Sequence, residues 1–225
     1  MRYIKPYSTF INESRSKLDS LSGKIVKKIF RQWVSDWNSG SKSSSYFDQI
    51  EDILEFDIYA DISYKGRGFV ATDATGADGR DTDDEGDWQT PHIRIDFTIQ
   101  KSWLPGYWQE LYMHLSDVVR HEIEHITQDG KDIGNYKKGK PDEDDSELRQ
   151  YIKMGLLPEE TYLMLPKEVD ANLQGLRYES KKRKESMKDS VERYLNSRGL
   201  NDEQQKTVLD KWRRRAKQIG GIPKF

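Results

Sequence analysis

The chain has 225 residues, no cysteine, hydrophobic and charged fractions of 34% each, and a formal net charge of -2. That composition excludes disulfides and any cysteine-held metal, excludes polycationic behaviour of the whole molecule, and implies a modest core with long solvated stretches. No run of 18 apolar residues is present to span a bilayer, and the N-terminus lacks the continuous apolar segment of a secretory signal, so the expected location is cytoplasmic.

"MRYIKPYSTFINE" (1–13) reads as a short leader or docking arm containing Pro6. A helix is expected from residue 14 to Gly40, with Leu18, Leu21, Ile25, Ile29 and Trp33 recurring at three- and four-residue steps. "SGSKSSS" (39–45) reads as a flexible connector. "EFDIYADISY" (55–64) alternates, with Phe56, Ile58, Ala60 and Ile62 on one face, as a half-buried strand does, and "GFVAT" (68–72) is its expected hairpin partner. Residues 73–87 hold seven carboxylates against Arg80. Asp81, Asp83 and Glu85 before Gly86 suggest a calcium loop, but its twelfth position would be His92 rather than a bidentate glutamate, so a solvated loop is the better reading. "HIRIDFTI" (92–99) alternates again, with Ile93, Ile95, Phe97 and Ile99 inward. Helical patterns follow at about 107–129, 146–154 and 167–184, and one or two charged helices finish the chain.

"HEIEH" (121–125) matches HExxH, a pattern that carries a mechanism. On a helix, residues four apart differ by about 40° and one turn, so His121 and His125 point the same way and can share one ion. Glu122 is placed to take a proton from an attacking water as general base. Leu111, Leu115, Val118 and Val119 lie on the same side upstream, which turns the histidines inward. His114 is about 10 Å away along the axis, too far for the same ion, and is read as cleft lining or core. Asp117, one turn before His121, is a candidate to orient its imidazole, although a plain surface carboxylate is the simpler reading.

A catalytic zinc ion usually has three protein ligands and an open position. Without cysteine or a third spaced histidine, the third ligand must be a carboxylate: Asp129, Glu147, Glu159, Glu160, Glu168 or Asp170. In "LPKEVDANLQGL" (165–176), taken as a helix, Ala171, Asn172 and Gly175 fall within about 60° of Glu168. Leu165, Val169, Leu173 and Leu176 form the adjoining apolar stripe. Asp170 falls among Lys167, Gln174, Arg177 and Lys181, the expected solvated face. Glu168 is therefore the preferred ligand. Its competing role is that of a first-turn glutamate favouring the helix N-terminus.

His121, Glu122 and His125, with Glu168 in an E-x-x-A-N stretch, resemble a gluzincin-type zinc metallopeptidase, and "VVRHEIEHITQ" is similar to the active helix of small HExxH proteins from phages and bacteria. The likeness covers about residues 91–180. The 42 residues between His125 and Glu168 exceed the commonest gluzincin spacing. The resemblance implies an α+β, zincin-like fold: a small, mostly antiparallel sheet, an active-site helix, and N- and C-terminal helices. It implies Zn2+ held by His121, His125 and Glu168, with "HIRIDFTI" as the edge strand above the cleft, to which a peptide or protein substrate adds. A transition-state donor is still required; Tyr162 is the first choice and Tyr178 the second.

The expected division is then a leader or arm at 1–13, an N-terminal helix at 14–40, a zincin-like domain at 46–184 and a charged helical tail at 185–225. From Arg177 to Lys217 there are fourteen basic and seven acidic residues. "KKRK" (181–184) and "KWRRR" (211–215) suggest phosphate contacts with nucleic acid, against the reading of a solvated charged tail. The N-terminus also resembles the short leader of internal head proteins of tailed phages, cut after a hydrophobic-x-Glu triplet such as Ile11-Asn12-Glu13. That likeness implies a virion interior or host cytoplasm. Two functions follow: a zinc-dependent peptidase with Glu122 as general base, or a non-enzymatic head-interior or nucleic-acid-associated protein in which HExxH is structural or incidental.

Overall fold

Helix α1 runs from Tyr7 to Asn38. It starts seven residues earlier than the periodicity suggests, and the bond after Glu13 lies within it. The computed structural model describes residues 7–65, 71–77, 92–128, 148, 150–152 and 154–225. The chain divides into two compact units, 1–129 and 130–225. The architecture is α+β.

In the first unit, α1 is followed by β1 (Ser43–Glu51), β2 (Glu55–Lys65), β3 (Ala71–Ala77), β4 (His92–Gln100) and α2 (Trp108–Gln128). The sheet order is β1-β2-β4-β3. β1–β2 and β3–β4 are antiparallel and β2–β4 is parallel. The predicted inward rows are all buried, and the β2–β4 register sets Ile58 beside Ile93, Ala60 beside Ile95 and Ile62 beside Phe97. Each fully buried isoleucine contributes about 1.5–3 kcal/mol. Leu21, Ile25, Ile29 and Trp33 of α1 and Leu111, Leu115, Val119 and Ile123 of α2 complete this core.

Three expectations about the sheet are corrected. β4 is an interior strand, paired on both sides, and not an edge. β3 pairs with β4 rather than closing a hairpin on β2. The physical reason is polarity: the two apolar strands take the centre, and the small and polar "ATDATGA" is left at an edge, where its unpaired side faces no neighbouring strand among the described residues. Third, the serine-rich connector is already strand from Ser43. Its inward residues include Ser44 and Asp48, which escaped a hydrophobic pattern but are satisfied there. Ser44 donates to Asp36 (2.5 Å), and Asp48 accepts from Lys28 (2.7 Å) and Tyr46 (2.8 Å).

In the second unit, a 3-10 turn (Glu159–Met164) leads into α3 (Pro166–Arg183), α4 (Met187–Ser197) and α5 (Asp202–Ile219). Pro166 opens α3, where its missing N–H costs nothing. Asn201 and Gln204 form a capping box at the start of α5. Residues 185–225, expected as a charged helical tail, hold α4 and α5, and these share a core with the elements before them: Met187, Val191, Leu195, Val208 and Trp212 pack with Leu163, Val169, Leu173 and Leu176. The Trp212 indole N–H donates to the Leu163 carbonyl (2.8 Å).

Candidate metal centre

α2 carries the HExxH residues in its last two turns. Ile123, Val119 and Leu115 anchor it to the core, and this fixes the rotation of the helix. His121 and His125 are half-buried, beside the core face rather than in its middle. Their rings meet edge to face, with centroids 4.8 Å apart, and the two Nε2 atoms are 3.0 Å apart. Two imidazole nitrogens on one tetrahedral zinc, each about 2.0–2.1 Å from it, would stand roughly 3.3 Å apart. The pair is thus already near the separation that a shared ion demands. Glu122 is buried on the same helix. His114 meets Phe97 edge-on, with centroids 5.6 Å apart, so it contacts the core.

Glu168 lies in the first turn of α3 and is fully buried. A glutamate that only offsets a helix dipole does so from water. Removing a carboxylate from solvent is costly unless charge or donors compensate, so burial weighs against the dipole reading. His121 and His125 offer two imidazole donors from α2, and Glu168 offers a buried carboxylate on α3; two imidazoles and one carboxylate are a donor set that suits zinc.

Asp170 is already paired within the second unit. Arg215 of α5 grips it with two bonds, Nε at 2.6 Å and Nη2 at 2.5 Å, and the Asp170 carboxylate in turn raises the Arg215 pKa. Its helix face was expected to be solvated, yet Gln174 and Arg177 are buried. Arg177 Nε donates to Gln174 Oε1 at 2.9 Å. Paired polar groups can be buried where single ones cannot, and hydrophobic patterning does not register such pairs. Of the other carboxylates, Glu160 accepts from Gln204 (2.8 Å), while Asp129 and Glu147 lie outside the described residues, as do positions 78–87 of the acidic loop. Tyr162 sits in the 3-10 turn, partly buried against the second unit's core. Tyr178 is buried, with the Lys182 ammonium 5.1 Å from its ring centroid.

One arrangement was missed by sequence reasoning. Arg120, immediately before His121, is fully buried. Its Nη1 donates to Glu124 at 2.8 Å and its Nε to Asp19 of α1 at 3.2 Å. The i,i+4 spacing of Arg120 and Glu124 was visible, but Asp19 is 101 residues away.

Comparison of the chain with protein-family models, with curated proteins and with solved structures finds no match.

Proposed function

We propose that this chain is a zinc-dependent peptidase of zincin type, with His121, His125 and Glu168 as ligands and Glu122 as general base. The observation that carries the reading is the His121–His125 pair, its Nε2 atoms 3.0 Å apart, on a helix that also supplies a buried glutamate next to the first histidine. Zinc would supply Lewis acidity and lower the pKa of water. The chain's own residues do the rest. Glu122 accepts the proton of the attacking water and returns it to the leaving amine, and Tyr162, then Tyr178, is the candidate donor to the developing oxyanion. An extended substrate needs a free strand edge. β4 has none, so that role passes to β3, the edge strand packed beside α2.

The test is Glu122→Gln on the full chain with a broad peptide library. The variant should fold, hold zinc as the wild type does, and lose at least about a hundredfold in turnover, the usual scale of general-base loss. Chelation should abolish wild-type turnover. Cleavage that survives Glu122→Gln would sink the assignment.

A second reading, nucleic-acid association through the C-terminal helix, has its own support. Lys206, Lys211, Arg213, Arg214 and Lys217 are exposed on α5, with Arg213 Nε donating to the Phe225 carbonyl oxygen at 2.8 Å and Arg214 Nε to the Asp210 carbonyl oxygen at 3.1 Å.

A further inference from the structure

HEIEH contains two glutamates, and helix geometry alone does not choose between them. At about 100° per residue, with His121 at 0° and His125 at about 40°, Glu122 falls near 100° and Glu124 near -60°. Both lie about 80° from the midpoint of the histidine pair, one on each side. The axial offsets are symmetric too, since each is one residue from Ile123. By periodicity either carboxylate could approach whatever the histidines hold.

Their surroundings break the symmetry. Glu124 is bound by the buried Arg120 at 2.8 Å, and the same guanidinium reaches Asp19 on α1 at 3.2 Å. Arg120 is therefore fixed from two directions, along its own helix and across to the neighbouring one. Its third nitrogen, Nη2, is buried with no hydrogen-bond partner among the described residues. Its position is set by the two carboxylates. Glu122 has no part in this clamp.

We propose that Arg120 is a positioning residue that draws Glu124 away from the histidine pair, leaving Glu122 as the one carboxylate of the motif able to act there. The proposal rests on the metal reading of His121 and His125. Removing Arg120 releases Glu124 to swing toward the ion, and an added anionic group beside a divalent cation strengthens its binding. Asp19 supplies the control. Asp19→Asn breaks half of the clamp and weakens the packing of α1 on α2, but leaves Arg120 holding Glu124.

The experiment is titration of the full chain with Co2+, read by visible absorption, which reports the ligand environment independently of any turnover. Wild type, Glu124→Gln and Asp19→Asn should share one spectrum and one affinity. Arg120→Gln should show an altered spectrum and about tenfold tighter binding, the lower end of what partners around a metal site do. The double variant Arg120→Gln/Glu124→Gln should return to the wild-type spectrum. If Arg120→Gln does not fold by circular dichroism, Arg120→Lys, which keeps the charge but loses the two-directional grip, is read in its place. A folded Arg120 variant with the wild-type spectrum overturns the proposal. So does a double variant that keeps the altered one, or an Asp19→Asn spectrum changed like that of Arg120→Gln, because Arg120 would then be acting through packing alone. A wild type that binds no Co2+ removes the metal reading itself, and with it this inference.

Discussion

Glu168 and Asp170 stand two residues apart on α3 and have opposite surroundings. Glu168 is fully buried, whereas Asp170 is committed to Arg215. Glu168→Ala should weaken zinc binding by about ten- to a hundredfold, on the scale of losing a partner at a metal site, while Asp170→Ala should leave it unchanged. Isothermal titration of both variants checks this; a zinc affinity unmoved in Glu168→Ala would transfer the third ligand elsewhere, with Asp129 next in line. At this scale the sequence was legible where helix periodicity governs. It predicts that His121 and His125 meet, and that Glu168 and Asp170 face different ways. It was illegible where a partner comes from far along the chain. Nothing local in the sequence reveals that Arg120 meets Asp19 or that Asp170 meets Arg215, because ion pairing follows from tertiary approach and not from a period.

Among the elements, α1, β2, β4, α2 and α3 were all anticipated within a few residues, except for the start of α1, because each carries a full apolar stripe. β1 was missed because its inward face mixes Ser44, Tyr46 and Asp48 with Ile50, and its polar members are satisfied by neighbours that the sequence does not disclose. α5 is the element with the clearest separate prediction. Val208, Trp212 and Ala216 turn one face to the core, and Lys206, Arg213 and Lys217 fall within about 40° of one another on the other. Asp210 sits beside that stripe and tempers it, and cations in a last turn also serve the helix dipole. The nucleic-acid reading requires more than the dipole. In fluorescence anisotropy with a duplex DNA, the slope of log affinity against log salt should fall in magnitude by about 2–3 when Lys206, Arg213 and Lys217 are all changed to glutamine, near 0.9 per lost phosphate contact. Binding that is absent at low salt, or a slope untouched by the triple variant, leaves α5 as a soluble helix and nothing more.

For the whole molecule, each unit contains a carboxylate whose protonation couples to folding, and the two predict how stability responds to acid. In the first unit, burial is the largest single influence on Asp48 and pushes its pKa up, but the bonds from Lys28 and Tyr46 and the Lys28 charge together outweigh it, so the pKa lies below its ordinary value of 3.8. In the second, burial likewise pushes Glu185 up, and the bonds from Arg193 and Ser190 with the nearby arginine charges bring it below 4.5. A carboxyl group whose folded pKa is depressed contributes stability that is complete above its unfolded pKa and is lost as pH falls through the folded one. The second unit should therefore begin to lose stability as pH drops below about 4.5 and the first below about 3.8. Each loss should be under about 1 kcal/mol, because both groups are partly solvated and screened. Amide hydrogen exchange resolved by unit, followed from about pH 6 to pH 3, separates the two. Glu185→Gln should lower protection of 130–225 at pH 6 and flatten its dependence below 4.5, leaving 1–129 unchanged. Loss of protection that begins in the first unit, or a Glu185→Gln profile as steep as that of the wild type, would show that the Glu185–Arg193 contact does not govern the acid response, and that a carboxylate outside these two sets the limit.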